Sequence, residues 1–406
     1  MRWTHVLSSI LALCCCVLVA AQATLPVPEG SYTTRSRHYE LVTDLPRERA
    51  RELAAHMDAV NEGYAKRMSS FRKQRPGRSS LAIFAERDTY LEFLRGIGID
   101  GTGSGGMFIS GHGLSVLATW INEKPMARTH HVLQHEGLHQ FVNERIGSLL
   151  PIWANEGLAE YFGEALMVRG RLKTGIASQG RIERIRDLIE EGEALPFEML
   201  IRMTNEEWLR RVRTGEAGSA SVLYDQSWAM VHFLVHGDGG RYRSAFEDYL
   251  KRVSRNTPST WAFRDAFGSN DLEPFQKAWE RFVLEQWNPD PLSTGVERLE
   301  FLAEGINELA KDSELPPTLG GLRSALVAMP FVLIRREHGV YMLQSAEQDE
   351  LFEAPKPQRR GRRAPTINYI LQPGAARPEL SIEGLSVPVR IEWNEDGLGG
   401  YEIVLG

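Results

Sequence analysis

This 406-residue sequence predicts an α+β architecture in three parts: a mixed sheet with helices, a helical bundle, and a small C-terminal all-β domain. Three observations carry that expectation. Between residues 38 and 120, short runs rich in β-branched and aromatic residues alternate with stretches of helical periodicity. From 181 to 310 most segments repeat their apolar residues at helical spacing, and beyond Pro316 and Pro317 short strand-like runs are separated by turn residues. The expected division is therefore 24–180, 181–315 and 316–406, behind a removable leader at 1–23.

The leader is read first. Arg2 and His5 open a short basic start, residues 6–20 are apolar, and Ala21, Gln22 and Ala23 form an A-x-A cleavage site, the pattern of a secretory signal peptide. The mature chain is thus expected to be exported, periplasmic or extracellular. No later stretch approaches twenty apolar residues, so no stable membrane span is expected in it. Cys14, Cys15 and Cys16 all lie in the leader, which leaves histidine and carboxylate as the metal ligands available to the mature chain. Removing 1–23 leaves 46 basic against 53 acidic groups, net −7, a balance that argues against a nucleic-acid partner.

Residues 38–44 read as a strand, 46–71 as a helix with Leu53, Ala54, Met57, Val60 and Tyr64 inward, 81–84 as a strand, and 87–94 as a helix closed by Gly96. The glycine-rich run 101–106 lacks the lysine of a phosphate loop and reads as a flexible turn. Residues 107–110 and 114–120 form hairpin strands. Thr129 then caps a helix whose apolar positions, Val132, Leu133, Leu138, Phe141 and Val142, keep a helical period until Gly147 and Pro151.

That helix carries His135-Glu136-Gly137-Leu138-His139. At i and i+4 the two imidazoles leave one face about a turn apart, so both can bind one Zn²⁺ while Glu136 acts on water beside it. An amphipathic helix with two surface histidines would carry the same five residues. The next segment, 151–162, shifts the balance, because it offers Glu156 as a third ligand after sixteen intervening residues. Sixteen is enough to finish one helix, turn tightly at 147–151, and bring a second alongside.

The remaining helices are expected at 182–188, 197–212, 222–235 (ended by Gly237, Gly239 and Gly240), 242–253, 260–267 and 272–287. A break at 288–291 precedes a last helix at 296–310. Strands at 330–335, 340–344, 367–372, 380–382, 387–393 and 401–405 suggest a sandwich or barrel. The basic run 355–365 reads as a solvated loop.

Two helices carrying H-E-x-x-H and then Asn155-Glu156-x-x-x-Glu160 resemble the gluzincin metallopeptidases, the peptidase MA-like superfamily of thermolysin and the zinc aminopeptidases. The resemblance covers about 38–290, is specific between 129 and 162, and is nearest to uncharacterised exported bacterial branches. It implies a catalytic part of mixed sheet and zinc helices above a helical bundle, with one Zn²⁺ on His135, His139 and Glu156. Glu136 would be the base and then the acid, and Glu160 would accept a hydrogen bond from a ligating histidine, His135. An edge strand at this place in the family pairs with the extended substrate, which points to the stretch from Gly105, Gly106 and Met107 onward. The glutamate with which zinc aminopeptidases grip a free amine is missing there.

A Tyr or His from the bundle should stabilise the oxyanion; Tyr224 is preferred to His232, and both also read as core residues of a buried helix. The function implied is a secreted zinc metallopeptidase that hydrolyses peptide or related amide bonds in a peptide or protein substrate. The competing reading is a catalytically silent secreted binding or scaffold protein that retains the shell of a zinc site, against which the intact Glu136 speaks.

Overall fold

The computed structural model describes residues 25–71, 77–102, 104–111, 113–121, 126–147, 150–214, 220–269, 271–335, 341–357, 364–394 and 400–406. The signal peptide expected at 1–23, its three cysteines and the middle of the basic run lie outside the described residues. The fold is mixed α+β with a C-terminal antiparallel sheet, as expected.

The first sheet is built from β1 (Tyr32–Arg35), β2 (Tyr39–Thr43), β3 (Ser79–Phe84), β4 (Gly106–Gly111) and β5 (Leu114–Trp120), in the order β1-β2-β3-β5-β4. β2, β3 and β5 run parallel, and β1 and β4 close the edges antiparallel. Parallel neighbours need a crossover, which α1 (Arg47–Arg67) and α2 (Arg87–Gly96) supply. Both faces of the central strands are therefore covered, and alternate residues go to different cores. Leu81, Ile83 and Leu117 join the main core with Leu53, Met57 and Tyr64 of α1, while Ala82, Phe84, Val116 and Ala118 pack on Tyr90, Phe93 and Leu94 of α2. β1 was not anticipated, because four residues are too short to show a period.

α3 (Met126–Arg145) and α4 (Ile152–Gly163) follow. Thr129 does not cap α3. The helix begins three residues earlier, at Met126, and Thr129 is buried within it. The turn out of α3 is made by Gly147, whose φ of +84° is open to glycine and whose N–H bonds the Val142 carbonyl at 3.0 Å. An unforeseen hairpin of β6 (Leu166–Val168) and β7 (Arg171–Lys173) leads to α5 (Gln179–Glu190).

The stretch expected as one helix at 197–212 is two, α6 (Phe197–Arg202) and α7 (Asn205–Thr214). The break is local chemistry: the Thr204 hydroxyl accepts from the Glu207 amide at 3.2 Å, as in a capping box. α8 (Ala220–Gly240) runs straight until Gly237, Asp238 and Gly239 leave helical geometry. α9 (Arg243–Val253), α10 (Ser259–Phe267) and α11 (Glu273–Arg281) complete the bundle, and Phe282–Gln286 winds on as a π-turn that ends where the Trp287 N–H reaches the Phe282 carbonyl.

α12 (Pro291–Leu309) starts five residues before the expected helix, because Asp290 caps it by accepting from Leu292 and Ser293 and Pro291 occupies its first position. The break at 288–291 is thus a helix start. Beyond it the structure corrects the all-strand expectation with α13 (Leu319–Ala328), capped by Thr318. β8 (Val332–Arg335) pairs with β9 (Tyr341–Gln344), and β10 (Thr366–Ile370), β11 (Glu379–Glu383), β12 (Val389–Trp393) and β13 (Tyr401–Leu405) form one antiparallel meander. A sandwich or barrel is not formed among the described residues: the second layer is α12, whose Leu299, Leu302 and Ile306 share a core with Leu380, Ile382 and Val389. The apolar side of α12, which the 315/316 division assigned to the bundle, therefore belongs to the C-terminal core, while Thr294, Glu297 and Arg298 bond Gln179 and Ser178 at the start of α5. Parts 24–180 and 181–315, in contrast, share one core as far as Trp287.

Candidate metal centre

α3 lies across the sheet and α4 runs alongside it, so the i,i+4 pair on α3 and the acids of α4 face each other. His135 is 1 % exposed and Glu156 9 %. His135 Nε2 and His139 Nε2 are 3.1 Å apart, and Glu156 Oε2 lies 3.4 Å from the first and 3.5 Å from the second. A tetrahedral ion with bonds of about 2.0–2.1 Å requires edges between ligand atoms of about 3.3–3.4 Å. The three atoms match that triangle, and the donor set of two imidazoles and one carboxylate is one that Zn²⁺ accepts.

The electrostatics agree with a cation at this point. Burial alone would lower the pKa of His135, but its hydrogen bonds to Glu156 and Glu160 hold it up at about 10, and His139 is raised by Glu156 against the same burial. Burial would raise the Glu156 pKa, and the two imidazoles instead hold it well below the carboxylate range.

Glu136 is not part of the triangle. Its Oε2 accepts the Phe108 amide of β4 at 2.8 Å, which brings the sheet's edge strand to the centre. Of the residues expected to meet substrate, Gly105 already accepts the Thr119 hydroxyl at 2.8 Å through its carbonyl, and Met107 packs among the α2-side core residues. Gly106 is there for contact: a Cβ on it would lie 2.6 Å from Val132 Cγ1 and 2.9 Å from Thr119 Oγ1. The group of this strand that faces the centre is the Phe108 N–H.

A glycine also brings α8 in. A Cβ on Gly157, next to Glu156, would sit 2.5 Å from the Ser227 carbonyl oxygen, so α4 and α8 touch backbone to backbone. Tyr224 on α8 stands edge-on to Trp208, and burial followed by the charge of Glu156 pushes its pKa well above 10, with Glu160 and Glu136 adding. Its phenol is thus within electrostatic reach of the centre. His232, two turns on, is not brought there. Its ring lies among Tyr161, Trp228, Trp287 and His236, and burial, then His236, Arg181 and Arg67, push its pKa well below 6.5.

Behind the triangle, His135 Nδ1 lies 3.0 Å from Glu160 Oε1, the pairing that the resemblance implied. The other carboxylate oxygen meets Arg181, which also pairs with Glu164 and Asp225. The outer nitrogen of His139 is buried with no hydrogen-bond partner among the described residues. His131, four residues before His135, extends the imidazole ladder, its Nε2 3.9 Å from Glu160 Oε1. Beyond it opens a cavity of about 700 Å³ bounded by α1, α3, α12 and β13, with Glu160 and Arg181 in its wall. Sequence reasoning passed over His131 and Arg181. The signal for His131 was its i−4 spacing from His135; Arg181 carried none, because its partners come from other helices.

A family described as a protein of unknown function (DUF1570) matches residues 129–260. No curated protein matches the chain. The matched stretch holds His135, Glu136, His139, Glu156, Glu160, Arg181, Tyr224 and His232 and ends before α12.

Proposed function

We propose that this chain is an exported, zinc-dependent hydrolase of peptide or related amide bonds. The observation that carries the reading is the triangle of His135 Nε2, His139 Nε2 and Glu156 Oε2, with edges of 3.1–3.5 Å, beside a fourth group, Glu136, that takes no part in it. Zn²⁺, when bound, supplies Lewis acidity that polarises a carbonyl and makes water more acidic. The remaining work belongs to the protein. Glu136, oriented by the Phe108 N–H, takes a proton from the attacking water and delivers it to the departing amine nitrogen as the C–N bond breaks. Tyr224 donates its hydroxyl to the carbonyl oxygen as negative charge gathers there, and its raised pKa keeps the phenol protonated for that task. The outer edge of β4, which pairs with no further strand among the described residues, offers main-chain groups to an extended peptide.

The test is digestion of a mixed peptide library by the purified mature chain, read by mass spectrometry, with and without a chelator. Cleavage is expected from the zinc-loaded chain and from neither the chelated protein nor Glu136→Gln, while that variant keeps one zinc per chain. Cleavage that survives in Glu136→Gln overturns the mechanism. A folded, zinc-loaded wild type that cuts nothing favours the binding or scaffold reading.

A further inference from the structure

We propose that Arg181 is a positioning residue for the metal centre, acting through Glu160 to hold the His135 ring in its ligating orientation. The inference rests on the reading of His135, His139 and Glu156 as ligands.

Arg181 is 5 % exposed, and its guanidinium is fully engaged. Nη2 bonds Glu160 Oε2 at 2.5 Å, Nη1 bonds Glu164 Oε1 at 2.6 Å, and Nε bonds Asp225 Oδ1 at 2.9 Å. Its flat face lies over Trp228, 4.2 Å from the ring centre. The backbone is fixed as well, since Ser178 accepts the Arg181 amide at the start of α5 and donates to Glu297. Asp225 is held from its other side by Arg184 at 2.9 Å.

The consequence falls on Glu160. One of its oxygens is pinned by Arg181 and the other meets His135 Nδ1, so the carboxylate cannot turn away from the imidazole. A carboxylate in that position makes Nδ1 the donor and leaves Nε2 bare toward the ion. Removing the guanidinium would leave the Glu160 side chain, 2 % exposed, without its fixed counter-charge and free to choose another rotamer. Among the described residues no carboxylate stands in the same way behind His139, whose Nδ1 has no hydrogen-bond partner there. A plain structural role, in which Arg181 merely ties α4, α5 and α8 together, predicts loss of stability without a specific loss of metal affinity.

Competition with a chromophoric chelator gives the zinc Kd of the wild type, Arg181→Met, Arg181→Lys, Glu160→Gln and the Arg181/Glu160 double variants, with circular dichroism and thermal melts alongside. Glu160→Gln and Arg181→Met are each expected to bind zinc about 10- to 100-fold more weakly. The double variant should be no weaker than Glu160→Gln alone, because both act through one carboxylate. Arg181→Lys should fall between wild type and Glu160→Gln. It carries the same test if Arg181→Met does not fold, since combining it with Glu160→Gln should add nothing. A folded Arg181→Met or Arg181→Lys with wild-type Kd, or additive losses in the double variants, overturns the inference alone. A wild type that binds no zinc overturns the metal-centre reading and this inference with it.

Discussion

At the scale of single residues, chemistry and position separate. Tyr224 and His232 are both plausible oxyanion donors by residue type, yet on α8 they point to different surroundings. Tyr224→Phe is therefore expected to lower kcat by about 10²-fold while zinc content stays at that of the wild type, as measured by steady-state kinetics and elemental analysis. His232→Phe should leave turnover per folded molecule unchanged, since its ring is enclosed by aromatic rings, edge-on to Trp228 and tilted against Trp287. A loss of turnover in the second variant with none in the first would reverse the assignment. Glu156→Ala should leave the chain with well under one zinc after dialysis, because two imidazoles alone make an incomplete site.

At the scale of elements, the α4–α8 contact decides whether the centre and the bundle form one site. Gly157→Ala places a methyl 2.5 Å from a backbone oxygen that cannot rotate aside. The helices must separate, which is expected to cost about 1–3 kcal/mol in urea denaturation and to weaken zinc binding as Glu156 shifts. Unchanged stability would mean that α4 can slide. Legibility at this scale followed length and local punctuation. α3 and α4 were readable because apolar period, glycine and proline agree over many residues. β1, β6 and β7, of three or four residues, were not, and the split between α6 and α7 hid in a threonine that reads as ordinary helix until its hydroxyl is seen capping Glu207.

At the scale of the whole molecule, two large cores coexist. The proposed metal ligands are attached to the one that runs to Trp287, while α12 closes the other. Calorimetry is expected to show that chelation lowers the transition of the first core and leaves that of the second in place. A single transition that moves as a whole would show that the buried Ser178–Glu297 bond and its neighbours couple them.

The pH dependence has a sign set by buried neutral histidines. Burial, with Arg67 and Arg243 adding, brings His236 down to about 4, and burial brings His56 to about 4 against the hydrogen bond it donates to Gln134. A base depressed below its unfolded value of about 6.5 contributes stability that is present above that pH and lost as pH falls toward 4. The stability advantage of wild type over His236→Gln should shrink between pH 6.5 and 4.5 in chemical denaturation, and an advantage that grows instead would contradict this sign.

What the sequence determined by itself was the local chemistry: which helix carries two imidazoles a turn apart, which acid follows at a reachable distance, and that no cysteine competes with them. These are properties of 3.6-residue spacing and chain length, so a linear reading captures them. Tertiary structure alone decided that His232 is enclosed by Tyr161, Trp228 and Trp287, that Arg181 backs Glu160, that Phe108 holds Glu136, and that α12 turns its apolar face to the C-terminal sheet. Each of those depends on helices or strands distant in sequence meeting side by side, where the packing of both partners, and not the period of either, sets which atoms touch.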